Sequence, residues 1–173
     1  MIWTATAHEI ATSRAGTPVV LCGRNRRLLR QFTANRSVIA LSWIDVPLLL
    51  TAAACVVQNA GGMMSLEALA AGVPVVTYRC IAGHGETNAS VLDRAGLVPW
   101  IRSYAHLGGG IAKAIALTRR PDLWSATLAI RPSIVQAAFS PPCVWTRVGF
   151  RARQEITARR TISGCLIISS RHF

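Results

Sequence analysis

Short apolar runs alternate with segments of helical spacing over residues 5–118. Continuous apolar runs predict five strands, at residues 18–22, 38–43, 55–58, 74–78 and 97–101. Between and around them, the spacing predicts helices at residues 5–15, 26–35, 45–54, 64–71, 87–95 and 111–118. Strands that alternate with helices of about ten residues form a parallel sheet covered on both faces. The pattern therefore predicts an α/β fold, a Rossmann-like parallel sheet with helices on both faces.

Turn and cap signals indicate where these elements begin and end. Asp45 is a suitable N-cap for the helix that follows it, and Pro47 is tolerated in its first turn. Residues 81–86 are predicted to form a loop before a helix that begins at Thr87, and Gly108–Gly110 a turn before the last helix. Ligands of parallel sheets bind at the carboxyl ends of the strands, so we expect functional residues in the turns that follow the strands.

The regular pattern ends near Pro121, and this divides the chain into residues 1–121 and 122–173. The second part contains prolines, isolated arginines and no sustained helical period. Within it, residues 165–169 are predicted to form a strand with no evident partner. Two explanations stay open for this irregular, arginine-rich tail: a disordered extension of the protein, or an out-of-frame reading of GC-rich coding sequence.

The net charge of +12 changes the range of partners to consider. Residues 1–123 contain twelve basic and six acidic side chains, whereas residues 124–173 contain seven arginines and one acidic residue, Glu155. Half of the excess thus lies in the last fifty residues. No recognisable nucleic-acid-binding module accompanies the charge, so nucleic acid is disfavoured as a partner. An anionic membrane surface is favoured over it, because arginines beside apolar surface suit acidic lipid.

The cysteines and the most apolar stretch indicate a protein of a reducing, cytoplasmic compartment. The five cysteines are scattered, odd in number and never spaced as Cys-x-x-Cys, which argues against a disulfide framework and a zinc site. The stretch 40–57 contains Asp45 and Pro47, so we interpret it as two buried elements rather than one membrane-spanning helix. No secretion signal is visible at the N-terminus.

The string Asn59-Ala-Gly-Gly-Met-Met-Ser-Leu-Glu-Ala-Leu-Ala-Ala-Gly-Val-Pro74 joins a predicted strand to a predicted helix. Glycines at a strand end let the backbone approach a ligand, and the helix behind them presents free amides to an anion such as a diphosphate. Ser65 can add a hydroxyl donor, and Glu67, one turn in, can accept hydrogen bonds from ribose hydroxyls. The alternative is a plain strand–turn–helix with Glu67 as a favourable acid near a helix N-terminus.

This string resembles the C-terminal domain of glycosyltransferase family 28, which has the GT-B fold. The family includes monogalactosyldiacylglycerol synthase and the transferase that makes the lipid-linked peptidoglycan precursor. Three further stretches resemble the family in the same order: Val19–Asn25, Leu41–Asp45 and Ile81–Asn88. The last of them is similar to the galactolipid-synthase form. The resemblance covers residues 5–120 and implies that residues 1–121 are a partial nucleotide-sugar-binding domain, the C-terminal half of a GT-B enzyme.

The same resemblance implies a donor-binding site made of nine residues. They are Gly61, Gly62 and Ser65 at the diphosphate, Glu67 at the ribose, the backbone at Trp43 and Ile44 at the uracil, and His84, Glu86 and Asn88 around the sugar and phosphate. From the residues alone, His84 is explained as well by a solvated turn and Asn88 by a helix cap. The sequence has no Asp-x-Asp metal motif, so no metal and no cofactor is expected besides the UDP-sugar donor. The resemblance assigns no catalytic residue.

The family pattern also implies parts that this sequence leaves out. Members of the fold open this domain with a strand and a glycine-rich loop, so the domain is expected to lack its first strand. The implied reaction is transfer of a hexosyl unit from a UDP-sugar to a lipid or other hydroxyl acceptor, in a truncated form that is inactive alone. Two alternatives stay open. One is a non-catalytic remnant or UDP-sugar-binding module that needs a separate acceptor-domain chain. The other is a basic peripheral protein of the inner membrane face that binds lipid or nucleic acid.

Overall fold

Six strands form one parallel sheet within the residues that the computed structural model describes, which are 2–35, 37–60, 62–118 and 164–168. In chain order they are β1 (Thr17–Leu21), β2 (Ile39–Leu41), β3 (Cys55–Gln58), β4 (Val75–Tyr78), β5 (Trp100–Ile101) and β6 (Gly164–Ile168). Across the sheet they lie in the order β2-β1-β6-β3-β4-β5, and every neighbouring pair is parallel.

Helices cover both faces of this sheet. One face is covered by α1 (Ile2–Ser13), α2 (Arg26–Thr33) and α6 (Leu107–Thr118), and the other by α3 (Val46–Ala52), α4 (Gly62–Ala70) and α5 (His84–Arg94). A single 3₁₀ turn, Tyr104–His106, precedes α6. The α/β fold with a Rossmann-like parallel sheet and helices on both faces, predicted from the sequence, is confirmed.

The core consists of two apolar clusters, one under each layer of helices. Successive residues of a strand face opposite sides of the sheet, so Val20 and Val57 belong to the first cluster and Val19 and Val56 to the second. All residues of β3 and β4 are buried. Burying one valine side chain of these strands fully contributes about 1.5–3 kcal/mol, which explains why the strands are mostly apolar.

Strand β6 has two partners, which corrects the sequence-based expectation of a strand without one. It pairs with β1 from Thr17↔Gly164 to Leu21↔Ile168 and with β3 from Cys55↔Cys165 to Val57↔Ile167. In the doubly wound order 3-2-1-4-5-6, this central position belongs to the first strand, which the sequence was expected to lack. The strand is supplied by residues 164–168 instead. Residues 119–163 and 169–173 lie outside the described ranges, and the interpretation of 122–173 as an irregular tail therefore stays a prediction.

Several element boundaries differ from the sequence-based predictions, and two of the differences have a clear physical reason. Helix α5 begins at His84 rather than Thr87, directly after Gly83, whose positive φ of 81° breaks the preceding chain direction. Gly108–Gly110 lie inside α6 rather than in a turn. Packing explains the second difference, because a Cβ atom on Gly110 would lie 2.6 Å from the Cδ1 atom of Ile101. Glycine there lets α6 approach β5 closely, which outweighs its low helix propensity.

The start of α3 agrees with its sequence signals. The Oδ1 atom of Asp45 accepts a hydrogen bond from the Leu48 backbone N–H at 3.1 Å, and Pro47 lies in the first turn. Residues 40–57 accordingly form the end of β2, helix α3 and most of β3. Among the described residues, the helices are all too short or too polar to cross a membrane.

Candidate functional site

The loops that follow β1 to β4 meet at one edge of the sheet, which we call the carboxyl edge. They are residues 22–25, 42–45, 59–60 and 79–83. Because the strands are parallel, their carboxyl ends all point to this edge. Of the residues predicted to bind a donor, Trp43 and Ile44 lie in these loops, and those on α4 and α5 lie in the first two turns of their helices. Gly61 lies outside the described residues. The fold thus gathers the sequence-predicted residues at one edge, although their side chains differ in what they contact.

The turn between β3 and α4 contacts the loop between β4 and α5. The backbone N–H of Ile81 donates a hydrogen bond to the carbonyl oxygen of Asn59 at 3.2 Å. A Cβ atom on Gly85 would lie 3.1 Å from the Ile81 Cβ atom and 3.5 Å from the same Asn59 oxygen. A side chain at position 85 would thus be tight against Ile81 and in van der Waals contact with the turn before α4. The N-termini of the two helices therefore lie next to each other.

Each of these two N-termini follows a backbone turn with positive φ. Ala60 has a φ of 72° before α4, and Gly83 has a φ of 81° before α5. No side chain caps α5, and the N–H groups of Glu86 and Thr87 reach back to the Gly83 carbonyl. An uncapped helix N-terminus such as that of α5 presents free N–H groups and the positive end of the macrodipole, an arrangement that attracts anions.

Glu67 is half-buried in α4, and its carboxylate has no hydrogen-bond or ion-pair partner among the described residues. Burial raises the pKa of this carboxyl group above its ordinary value. The first turn of α4 contains no acidic residue, so Glu67 lies beyond the region where the helix dipole is strongest. Stabilisation by the helix N-terminus therefore explains this carboxylate poorly.

Ser65 is buried and is hydrogen-bonded inside the protein. Its hydroxyl donates to the Oε1 atom of Gln58 at 2.7 Å, and the Nε2 atom of Gln58 donates to the Oγ1 atom of Thr77 at 3.2 Å. This network joins α4 to β3 and β4 and satisfies three buried polar side chains. A direct contact between Ser65 and a diphosphate would require the bond to Gln58 to open.

The sequence reasoning overlooked Gln58, Thr77 and Asn59, all three of which are buried beside the glycine turn. A signal for them exists. Gln58 ends an otherwise apolar run and Thr77 interrupts one, and a buried polar side chain in such a strand needs a partner. The partner itself could not be identified, because Gln58 and Thr77 are nineteen residues apart.

Trp43 and Ile44, the predicted base-side residues, lie in the loop after β2. The Trp43 side chain is 59% exposed, whereas Ile44 packs against the second core cluster. Ile44 also lines a groove of about 290 Å³ between α3 and the strands β1 and β2. Its other lining residues are apolar except Thr51. A flat, apolar ring could therefore stack or insert on this side of the carboxyl edge.

His84, Glu86 and Asn88 do not share one face of α5. Side chains four residues apart lie one above the other on a helix, whereas side chains two apart point to nearly opposite sides. His84 and Asn88 thus lie on one side and Glu86 on another, and all three are exposed. Asn88 is the fifth residue of α5, so it does not cap the helix, and His84 is in the first turn rather than in a loop.

An ion-pair cluster at the carboxyl edge joins α1 to the end of β4, and sequence reasoning did not find it. The Arg79 guanidinium donates to both carboxylate oxygens of Glu9, at 2.7 and 3.1 Å, and the Tyr78 hydroxyl donates to Glu9 Oε2 at 3.0 Å. Burial, followed by the Glu9 carboxylate, raises the pKa of Tyr78 despite the opposing hydrogen bond with Arg79. Glu9 thus already neutralises the cation nearest to the end of β4.

No three His, Cys, Asp or Glu side chains come together as a metal site within the described ranges. The groups that these residues offer at the edge include backbone N–H groups and the polar side chains on α5.

Comparisons with known proteins give a limited result. No protein family and no curated protein matches the sequence. Among solved structures, the chain is similar to one described as the glycotransferase of kitacinnamycin, at 16% identity and a TM-score of 0.48. The likeness covers 83% of this chain and 43% of the other, so the chain spans less than half the length of that protein.

Proposed function

We propose that residues 1–121 form the nucleotide-sugar-binding domain of a glycosyltransferase that takes hexosyl units from a UDP-sugar. One observation supports this above the others: two adjacent helix N-termini lie at the carboxyl edge, and α4 also contains the half-buried carboxylate of Glu67, which has no partner among the described residues. A diphosphate would supply an anion for the two helix N-termini. The ribose next to it would supply hydroxyl donors for the Glu67 carboxylate.

In this proposal each part of the edge has one task. Backbone N–H groups at Gly61, Gly62 and the start of α5 bind the diphosphate, and the Glu67 carboxylate accepts hydrogen bonds from the ribose hydroxyls. The loop at Trp43 and Ile44 lies against the uracil. The same N–H groups stabilise the charge that develops on the diphosphate when the bond to the anomeric carbon breaks. His84 and Asn88, which share one face of α5, are then the residues nearest to the sugar.

The acceptor and the partners belong to the same proposal. In the proposed reaction the sugar passes to a lipid or another acceptor with a hydroxyl group. This transfer requires a surface that holds the acceptor against the donor, and a base that takes the hydroxyl proton. A separate acceptor-domain chain is one source of both. The proposed place of action is the cytoplasm, at the inner face of the membrane.

The position of the site is tested by hydrogen–deuterium exchange of the full chain with and without UDP. Bound diphosphate should slow exchange at the first turns of α4 (residues 62–65) and α5 (residues 84–87). Uridine, which lacks the diphosphate, is the matched control and should protect neither turn. Saturating UDP that leaves both turns unprotected would reject the proposed site.

Attraction to an anionic lipid surface is a second candidate activity, favoured by the surface of α2. Arg26, Arg27 and Arg30 are exposed on this helix, which contains no acidic residue. Three exposed arginines on one helix, without an acidic neighbour on it, suit a membrane surface containing acidic lipid.

Vesicle flotation tests this second activity. The chain should float with phosphatidylglycerol-containing vesicles at low salt and not with pure phosphatidylcholine. Changing Arg26, Arg27 and Arg30 to Gln together should abolish flotation, whereas Arg94→Gln, an exposed arginine of α5, should not. Equal losses in the two variants would show that general charge, and not the α2 surface, is responsible.

A further inference from the structure

The seam between β1 and β3 is a feature of the sheet that the proposed function does not use. Strands β1 and β2 form one half of the sheet, and β3, β4 and β5 form the other. The halves do not pair with each other, because β6 lies between them and pairs with both β1 and β3. Among the described residues, β6 is thus the only strand that joins the halves through backbone hydrogen bonds.

The fit of β6 in this seam is complete along β1. All five residues of β6 have a partner in β1, and three of them also have a partner in β3. Without β6, the two strands would face each other at about twice the usual strand spacing, roughly 9–10 Å. Backbone groups at that distance cannot bond, and buried N–H and C=O groups without partners are strongly unfavourable.

Contacts other than β6 also hold the two halves together. Each core cluster contains side chains of both β1 and β3, such as Val20 with Val57 on one face. At the carboxyl edge, Glu9 of α1 binds Tyr78 and Arg79 at the end of β4. These side chains connect the two halves in addition to the backbone pairing of β6.

We propose that this seam is a strand-acceptor slot and that residues 164–168 occupy it as a separable insert. The segment Gly-Cys-Leu-Ile-Ile has the continuous apolar character that a central parallel strand requires. The other consecutive strands are joined by at most the 21 residues 79–99, whereas residues 102–163 separate β5 from β6. Closing a longer connection loses more chain entropy, so β6 is the strand that the covalent chain favours least.

Hydrogen exchange on the full chain tests the seating of β6. Amides of residues 164–168 should exchange as slowly as those of β3. In Ile167→Pro, which removes a backbone N–H from the middle of β6, amides of β1 and β3 should exchange at least tenfold faster. Amides of β4, which does not touch β6, should change little. Ile167→Val keeps the N–H group and is the matched control.

A peptide of residues 162–170 tests whether the insert is separable. Added in trans to the Ile167→Pro chain, it should bind and restore the protection of β1 and β3. The same peptide with the proline should not bind, and the wild-type chain should resist the peptide because its own tethered strand competes at high effective concentration.

Three results would overturn the proposal: residues 164–168 exchange in the wild-type chain as fast as in the free peptide, the proline variant keeps its β1 and β3 protection, or the peptide fails to restore it. Complete unfolding of the proline variant by circular dichroism would also overturn it, because β6 would then be an integral core strand.

Discussion

At the residue scale, Glu67 is the side chain that the proposed function uses most directly. A carboxylate that accepts hydrogen bonds from ribose hydroxyls gives about 1–3 kcal/mol of interaction, so Glu67→Ala should weaken UDP binding by about that amount. The fold should stay intact, because the carboxylate is not part of either core cluster. Calorimetric titration measures the loss, with circular dichroism as the check on folding. Unchanged affinity would show that Glu67 does not contact the ligand.

The pH dependence of binding follows from the same group. Burial raises the pKa of Glu67, whereas ribose donors favour its ionised form, so UDP affinity should fall as the pH drops through this raised pKa. In Glu67→Gln that part of the pH dependence should disappear, and the slope that remains belongs to the ligand's phosphate. Titrations of both proteins between neutral and mildly acidic pH make the comparison, and identical profiles would contradict the role of Glu67.

Removing the charge of Glu67, which should weaken UDP binding, should increase the stability of the fold. A raised pKa in the folded state means that burial favours the protonated form. The stability that Glu67 contributes is therefore present below the ordinary glutamate pKa and is lost as the pH rises through its raised pKa. Glu67→Gln should raise the free energy of unfolding at neutral pH slightly, by less than about 1 kcal/mol. Urea denaturation at pH 7.5 would measure it, and a clear loss of stability would contradict an unpartnered carboxylate.

At the scale of elements, two glycines of α6 distinguish the effect of packing on stability from the effect of helix propensity. In Gly110→Ala the new methyl group would meet the Ile101 side chain at 2.6 Å, so the variant should be destabilised by about 1–2 kcal/mol. Gly109 has open space around its added Cβ atom, so Gly109→Ala should instead gain about 0.5–1 kcal/mol. In thermal unfolding, the midpoint temperature should fall for Gly110→Ala and rise for Gly109→Ala. Equal shifts of the two midpoints would contradict the close contact of α6 with β5.

The elements also show how far sequence reasoning reaches. Strands β1, β3 and β4 were predicted within one residue of their ends, because their apolar runs are bounded by polar or glycine turns. The starts of α5 and α6 were missed, since they depend on the backbone conformation of Gly83 and on the Ile101 contact rather than on local composition. Loop positions of the candidate site were predictable from the glycine motif. The bond between Ser65 and Gln58 was not, because it joins two elements that only the folded chain brings together.

At the scale of the whole molecule, β6 connects the two sides of the candidate site. The loop at Trp43 follows the half of the sheet that contains β1 and β2, whereas the turns before α4 and α5 follow the other half. The placement of β6 was beyond sequence reasoning, because Val57 and Ile167 are paired across more than a hundred residues.

This connection makes a prediction for binding. Ile167→Pro should weaken UDP binding at least tenfold, although it changes no residue of the proposed site, because the base-side loop loses its fixed distance from the two helix N-termini. Ile167→Val should bind UDP as the wild-type chain does. Calorimetry on the two folded variants gives the answer, and full affinity in the proline variant would mean that the site is complete within one half.

The central claim, a uridine diphosphate site at the carboxyl edge, is tested most directly by isothermal titration of the full chain. UDP, ADP and AMP should be titrated in parallel, because ADP shares the diphosphate and AMP shares neither the base nor the diphosphate. The account predicts saturable heat with UDP, weaker binding of ADP and weaker still of AMP. A folded chain that gives no heat with UDP, or that binds AMP as tightly, would contradict it.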